Sequence, residues 1–335
     1  MMRRLACLAA LLLIAACARP PLHSQESWVF GTRVEVLVWG EPEDRARGAV
    51  AEVLREFDRL HRAYHAWQPS ELTALNEAIA AGRPHEVSAE LAGLIRDAQR
   101  MAALGDHLFD PGIGRLVALW GFHTEEFEPR LPDPARLAAL VGAHPSIADL
   151  AVDGTKVSGR NTAVALDFGG TLKGVALDRA AAILKSRGIR NALVNIGGNV
   201  MALGSKGGTP WRVGIQHPRS STPLATLELR DGEAIGTSGD YQRYFELDGR
   251  RYSHLIDPRS GRPAAGSQAV TILVTPRADA GMWSDAATKP LFVAGDSWQP
   301  LAERMNLPHV LRIDADGRVE APPAFRERLK FEVNG

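Results

Sequence analysis

The stretch Tyr244–His254, "YFELDGRRYSH", constrains the fold more than any other part of the chain. Two short alternating runs flank Asp248-Gly249. Asp-Gly between strand-like runs is a strong short-range signal for a β-hairpin closed by a type I′ turn. The turn sets the register, so the polar groups at the open end are expected to share one corner. They are Ser238-Gly239-Asp240 on one side and His254 and Asp257 on the other. A second turn, Asp257-Pro258-Arg259-Ser260-Gly261, follows directly. A histidine near its ordinary pKa serves as a general base near neutrality. The plainer reading is a hydrogen-bonded polar cluster of the kind that hairpin corners hold.

Around this hairpin the hydrophobic pattern changes period along the chain. Trp28–Trp39 alternates from Thr32 onward and reads as a strand. Asp44–Trp67 carries Val50, Val53, Leu54, Phe57 and Leu60 at three-and-four spacing, an amphipathic helix. Ser88 is a good N-cap for a second helix with Leu91, Leu94, Ile95, Ala98 and Met101 on its apolar side, stopped by Gly105. Asp133–Asp149 reads as a further helix. From Ala151 onward "TAVALDF", "NALVNIGG", "WRVGIQH", "LATLELR" and "QAVTILVT" are strand candidates, with one long helix over Lys173–Arg187. Helices mainly in the N-terminal half and strands mainly in the C-terminal half predict an α+β fold.

The N-terminus supplies a compartment. Met-Met-Arg-Arg precedes Leu5–Ala16, which is apolar, uncharged and too short for a comfortable membrane span, so residues 1–16 read as a secretory signal. Leu13-Ile14-Ala15-Ala16-Cys17 has the form of a bacterial lipobox, with Cys17 lipidated as the mature N-terminus. An ordinary small-residue cleavage site is the rival reading. Residues 17–26 are then expected to be a tether and residues 27–335 a single functional domain. The chain has two cysteines, and Cys7 lies inside the signal, so the mature chain forms no internal disulfide and stands on its apolar core. Lys+Arg and Asp+Glu are both 39, a formal net charge of zero, which gives no electrostatic footprint for nucleic acid.

Three further places offer chemistry. "ALDFGGTLKG" runs a strand-like segment through Gly169-Gly170 into a helix start bearing Lys173, a geometry suited to phosphate. It is neither a P-loop nor G-x-G-x-x-G, and a tight turn with an exposed lysine is its plain alternative. "NALVNIGGN" ends in a diglycine, either a simple turn or a close approach to a ligand. In "SDAATKPLFVAG", Asp285 and Thr288 form an oxygen pair suited to a hard cation; alternatively Ser284-Asp285 is a helix N-cap.

Taken together and in this order, these segments resemble the ApbE family of FAD:protein FMN transferases. The matching blocks are "FGT" (30–32), "WQPSELTALN" (67–76), "LFDPGIG" (108–114), "DFGGTLKG" (167–174), "VNIGGN" (194–199), "SGDYQRYF" (238–245), "YSHLIDPRSGRP" (252–263) and "SDAATKPLFVAG" (284–295). The resemblance implies an α+β fold that binds FAD in a cleft with Mg²⁺ at the pyrophosphate. It implies transfer of the FMN half to a Thr or Ser hydroxyl of an acceptor protein, with release of AMP. Acceptors in the family include subunits of membrane redox complexes. Carried over by position, Phe30, Trp67, Leu108, Phe109 and Asp110 would line the FAD site, with Asp167, Lys173 and Ile256. The Gly170 carbonyl, Asp285 and Thr288 would hold the cation, and His254 would act at the acceptor hydroxyl with Lys173 at the phosphate. The family setting implies the periplasmic face of a bacterial membrane, the inner one favoured and the outer one open. The chain departs from the family pattern at Lys289, where a second Thr is common; a charged Lys cannot be a metal ligand. A lipid-anchored FAD-storage protein and an FAD pyrophosphatase giving FMN and AMP are the competing readings at this point.

Overall fold

The structure, a computed structural model, describes residues 20–124 and 128–332. The signal over residues 1–16 and Cys17 lie outside the described residues. Asp248 and Gly249 take φ of 51° and 71°, the pair of left-handed conformations that a type I′ turn requires. Tyr244–Leu247 therefore pairs antiparallel with Arg250–Ser253, Leu247 opposite Arg250 and Tyr244 opposite Ser253.

The same turn recurs at the N-terminus. Phe30 and Gly31, at φ 57° and 66°, join the strands Leu22–Val29 and Thr32–Trp39 in register from Val29/Thr32 to Leu22/Trp39. The strand read from Thr32 to Trp39 forms as expected, while Trp28 and Val29 end the strand before it, and the stretch 17–26, expected as a tether, is already ladder from Leu22. The reason is an edge effect. Leu22–Val29 lies at the sheet margin with mostly exposed, polar side chains, so it carries no apolar alternation to read.

Eight antiparallel strands form the main sheet, in the order Leu22–Val29, Thr32–Trp39, Ala192–Ile196, Asn199–Leu203, Ala234–Gly239, Ser267–Val274, Val310–Asp314 and Val319–Glu320. Alternation divides its faces. Val34, Val36, Val38, Val270 and Ile272 point into the larger core. Leu273, Leu311 and Ile313 point the other way. The first face is covered by the helices Glu43–Ala63, Leu172–Ser186, Ala280–Ala286 and Thr288–Ala294. The second is covered by a three-stranded sheet of Trp211–Gln216, Pro223–Leu229 and Lys330–Phe331.

The α+β class is as expected, but the division between halves is looser. The two N-terminal strands belong to the main sheet, and four short α-helices follow Asp279 among the described residues. The helix over Asp44–Trp67 ends at Ala63, the stretch Asp133–Asp149 is a helix only over Pro134–Gly142 before a short 3₁₀ turn, and Ser88 caps Ala89–Leu104 by accepting from Leu91 N–H. "TAVALDF" is not a sheet strand: it opens on a turn and makes one bridge, Ala165 to Ile113. Its backbone bonds to the loop 111–114, Ala165 and Asp167 N–H donating to the Gly112 and Pro111 carbonyls, and to a side chain: Asn76 accepts from Leu166 N–H at 2.7 Å and donates to the Leu166 carbonyl at 2.9 Å.

A third, smaller core holds the Tyr244–Ser253 hairpin. Phe245 and Ile256 pack with Ile113, Leu116, Trp120, Phe122 and Leu137, and Trp120 donates its indole N–H to the Gly261 carbonyl at 2.7 Å. The hairpin is thus fastened by aromatic packing on one side, which leaves its open end to carry His254.

Candidate active site

The glycine turn is a short, self-bonded corner. Asp167 accepts from Gly169 N–H at 2.8 Å, and Thr171 and Leu172 N–H both donate to the Phe168 carbonyl. The helix Leu172–Ser186 starts there without a side-chain cap. Gly170 is required by a close approach: a Cβ there would lie 2.7 Å from the Phe109 ring and 3.3 Å from Lys289 Cε. One expected phosphate donor is spent inside the protein, because Gly174 N–H donates to Asp285 Oδ2 at 3.0 Å. Burial pushes the Asp167 carboxyl pKa up, while the Gly169 N–H and the positive fields of Arg243 and His65 oppose that shift.

His254 arrives from the other side. Its backbone N–H donates to the Arg243 carbonyl at 3.0 Å, and its Nδ1 lies 3.1 Å from the same oxygen. A carbonyl only accepts, so Nδ1 carries the proton and Nε2 keeps its lone pair. Arg243 is itself braced by the Phe122 and Thr124 carbonyls, each at 3.0 Å. The half-buried ring has its pKa pushed down to about 3, by burial first and then by the charges of Arg243, Lys173 and Lys289. That shift also locates the residue: His254 lies within the field of both lysines. The imidazole is neutral at physiological pH, which is the form a base needs.

Asp285 and Lys289 form the floor. Both are buried, at 1% and 8% exposure. The Lys289 ammonium is paired with Asp285 Oδ1 and donates to the Asp285 carbonyl at 2.7 Å. Burial pushes the Lys289 pKa down, Asp285 raises it, and Lys173 adds to the lowering. Asp285 sits inside the helix Ala280–Ala286 and so is not an N-cap. Thr288 donates to the Asp285 carbonyl at 2.6 Å and shares a 2.7 Å hydrogen bond with Ser238.

Two of the three donors expected for Mg²⁺, the Asp285 carboxylate and the Thr288 hydroxyl, are therefore engaged otherwise. Asp285 has one oxygen on Gly174 N–H and the other on Lys289, and the Thr288 hydroxyl is fully buried between Ser238 and its own helix. Among the described residues, no three His, Cys, Asp or Glu side chains are grouped to hold a metal ion. As these side chains stand, the set does not fit a divalent cation.

The remaining expected residues divide into a rim and a scaffold. Phe30 packs its ring 5.7 Å from His61, which lies 5.1 Å from His65. Trp67 lies 5.6 Å from His123, the residue between the Phe122 and Thr124 carbonyls that brace Arg243. Phe109 stands directly over Gly170. Leu108 is part of the main core and Ile256 of the hairpin core, so both act as packing beneath the site. Asp110 is corrected from ligand contact to scaffold. At 2% exposure, it accepts from Gly112 and Ile147 N–H, both at 2.8 Å, from Ser146 Oγ at 2.6 Å, and contacts His107 at 3.0 Å. No lone pair is left for a cofactor. Gly197-Gly198, at φ 57° and 93°, forms the simple two-residue turn between Ala192–Ile196 and Asn199–Leu203.

The shared polar corner at the hairpin base does not form as one cluster. Asp240 is held by Arg219 through two bonds of 2.7 and 2.6 Å, Asp257 turns to Arg259, and Ser238 goes to Thr288. His61, His65, His123 and Arg243 were not singled out by sequence reasoning. His61 and His65 are four residues apart on and just beyond the end of an amphipathic helix, a spacing that puts them on one face and was the available signal.

Known proteins share this fold. Residues 30–311 match the model of the ApbE family. A Rhodobacter capsulatus protein named FAD:protein FMN transferase is 43% identical over 95% of this chain, which spans 60% of that protein's length. A Vibrio cholerae protein of the same name is 31% identical over 93% of this chain and 94% of its own. Among solved structures, the ApbE protein of Thermotoga maritima superposes with a TM-score of 0.82 at 30% identity, covering 92% of this chain and 99% of that one. The flavin transferase ApbE of Vibrio cholerae gives 0.79 at 28%, covering 92% and 100%. The family match spans the glycine turn, the hairpin and the Asp285 helix alike. The chain belongs to the ApbE family.

Proposed function

We propose that this chain transfers the FMN half of FAD to a Thr or Ser hydroxyl of an acceptor protein and releases AMP. The observation that carries the reading is the convergence of Lys173, His254 and the Asp285–Lys289 pair on the Gly170 turn, in a chain of this family. The acceptor oxygen bonds to the FMN phosphorus. The bond from that phosphorus to the bridging oxygen breaks, AMP departs as a phosphate monoester, and the hydroxyl proton passes to His254 Nε2. Negative charge gathers on the phosphoryl oxygens during this exchange, and the ammonium of Lys173 beside the glycine turn offsets it. Phe30, Trp67 and Phe109 supply aromatic surface for the flavin or adenine rings.

The test is incubation of the purified protein with FAD and a candidate acceptor, a membrane redox-complex subunit bearing a Thr flavinylation site. In-gel flavin fluorescence on the acceptor supports transfer. Free FMN without labelled acceptor would replace it by hydrolysis, and unchanged bound FAD by storage.

The same reading places the enzyme on the periplasmic face of a membrane through lipid on Cys17, where redox-complex acceptors are reached without diffusion through the compartment. Metabolic labelling with palmitate is expected to mark the wild type and not Cys17→Ser; equal labelling of the two removes the anchor from the proposal.

A further inference from the structure

We propose that Lys289 is the resident cation of this site, standing where the family pattern puts a divalent metal and freeing FAD binding and FMN transfer from added metal. The inference rests on the transferase reading above and concerns how this chain neutralises the pyrophosphate.

Three observations carry it. The Lys289 side chain ends between Gly170 and Asp285: its Cε lies 3.3 Å from the point a Gly170 Cβ would occupy, and its ammonium is bonded to the Asp285 carbonyl and carboxylate. This is the space enclosed by the expected metal donors. The second observation is charge. One buried carboxylate already balances one buried ammonium, and Lys173 is near enough to act on Lys289. A divalent ion entering the same space meets two ammonium groups and a single carboxylate, so it is repelled where a dianionic pyrophosphate is attracted. The third is the hydroxyl. Thr288 turns to Ser238 on the neighbouring strand, away from the turn.

The position also explains itself energetically. A buried ammonium is costly unless paired, and Asp285 pairs it in the free protein. When a phosphate oxygen arrives, the ammonium has a third proton to donate beyond the two bonds to Asp285. A metal would be exchangeable with solvent; a lysine is not.

The experiment uses the full-length protein with FAD as the probe. FAD affinity is read by quenching of flavin fluorescence, and turnover by AMP release with the acceptor, each in excess EDTA and in millimolar MgCl₂. The wild type is expected to differ by no more than about twofold between the two conditions, within the scatter of affinity measurement. Lys289→Thr in EDTA is expected to lose about a hundredfold in turnover and to recover part of it in MgCl₂, while calorimetry detects Mg²⁺ binding in the variant alone. Lys289→Arg keeps the EDTA-resistant FAD affinity. Loss of wild-type FAD affinity and turnover in EDTA, restored by MgCl₂ at the same midpoint as in Lys289→Thr, overturns the proposal. The wild-type comparison decides even where Lys289→Thr fails to fold. Failure of FMN to reach any acceptor in either buffer sinks the transferase reading instead, and the FAD isotherms still judge Lys289 separately.

Discussion

His254→Ala is expected to slow FMN transfer by about a hundredfold or more while leaving FAD affinity near that of the wild type, because a positioned base contributes roughly 10²–10⁴-fold. The two effects separate for a geometric reason. The hairpin is fastened by Phe245, Tyr252 and Trp120 stacking, and the His254 N–H bond to the Arg243 carbonyl is backbone, so the mutation removes a ring and leaves its bracket. The pH profile gives an independent reading. A histidine of ordinary pKa loses its lone pair below 6.5, whereas this ring is held at about 3 by burial and by the nearby cations. The sign is that of a depressed base: the active, neutral form persists as pH falls through 6.5. Hence kcat/KM should show no acid limb from His254 across about pH 5 to 8. A limb centred on 6.5 that disappears in His254→Ala would show an unshifted histidine. Wild-type transfer in His254→Ala would remove it from the mechanism.

Gly174→Ala is expected to destabilise the protein by about 3 kcal/mol, the upper part of the overpacking range, and to weaken FAD binding with it. The helices Leu172–Ser186 and Ala280–Ala286 meet backbone to backbone. A Cβ at Gly174 would stand 2.3 Å from the Gly281 carbonyl and 2.7 Å from Met282 Cα, and a Cβ at Gly281 would stand 2.4 Å from the Gly174 carbonyl. Backbone cannot rotate aside as a side chain does, so the helices must part. Parting them breaks the Gly174 N–H bond to Asp285 and shifts the floor on which Lys289 rests. Gly93 is the control: it lies in the helix Ala89–Leu104 with nothing within 4 Å of its added Cβ, so Gly93→Ala should stabilise by about 0.5–1 kcal/mol. Thermal melts of the two variants decide the matter. Equal or higher melting temperature in Gly174→Ala would mean that the two helices do not touch as described.

How much of this was legible beforehand depended on the range of the interaction responsible. Asp248-Gly249 declared its turn because the requirement for positive φ is local. Ser88 declared the start of its helix because a cap bond to Leu91 N–H spans only three residues, and Gly105 marked its end. The site residues His254, Lys173 and Asp285 could be named from motif order, but their mutual placement could not be read from spacing. Residues 173, 254 and 285 come together because the hairpin is seated on Trp120 and Phe122, and because two glycines let two helices touch. Asp110 shows the limit most clearly. A carboxylate in "LFDPGIG" looks like a cofactor contact until its four partners, His107, Gly112, Ser146 and Ile147, are seen to consume it. The polar groups at the hairpin base misled for a related reason, since Arg219, far along the chain, draws Asp240 away.

By itself, then, the order of residues determined the turns, the amphipathic helix faces, the α+β class and the family, since each depends on conformational preferences a few residues wide or on motifs kept in sequence. The tertiary structure alone decided which nitrogen of His254 is free, which carboxylates are already spent, and that the Lys289 ammonium fills the space beside Gly170. Those outcomes turn on hydrogen bonds and charges that the fold brings together, 11 residues apart for His254 and Arg243 and 111 for Gly174 and Asp285, and a side chain's protonation and availability are properties of its neighbours.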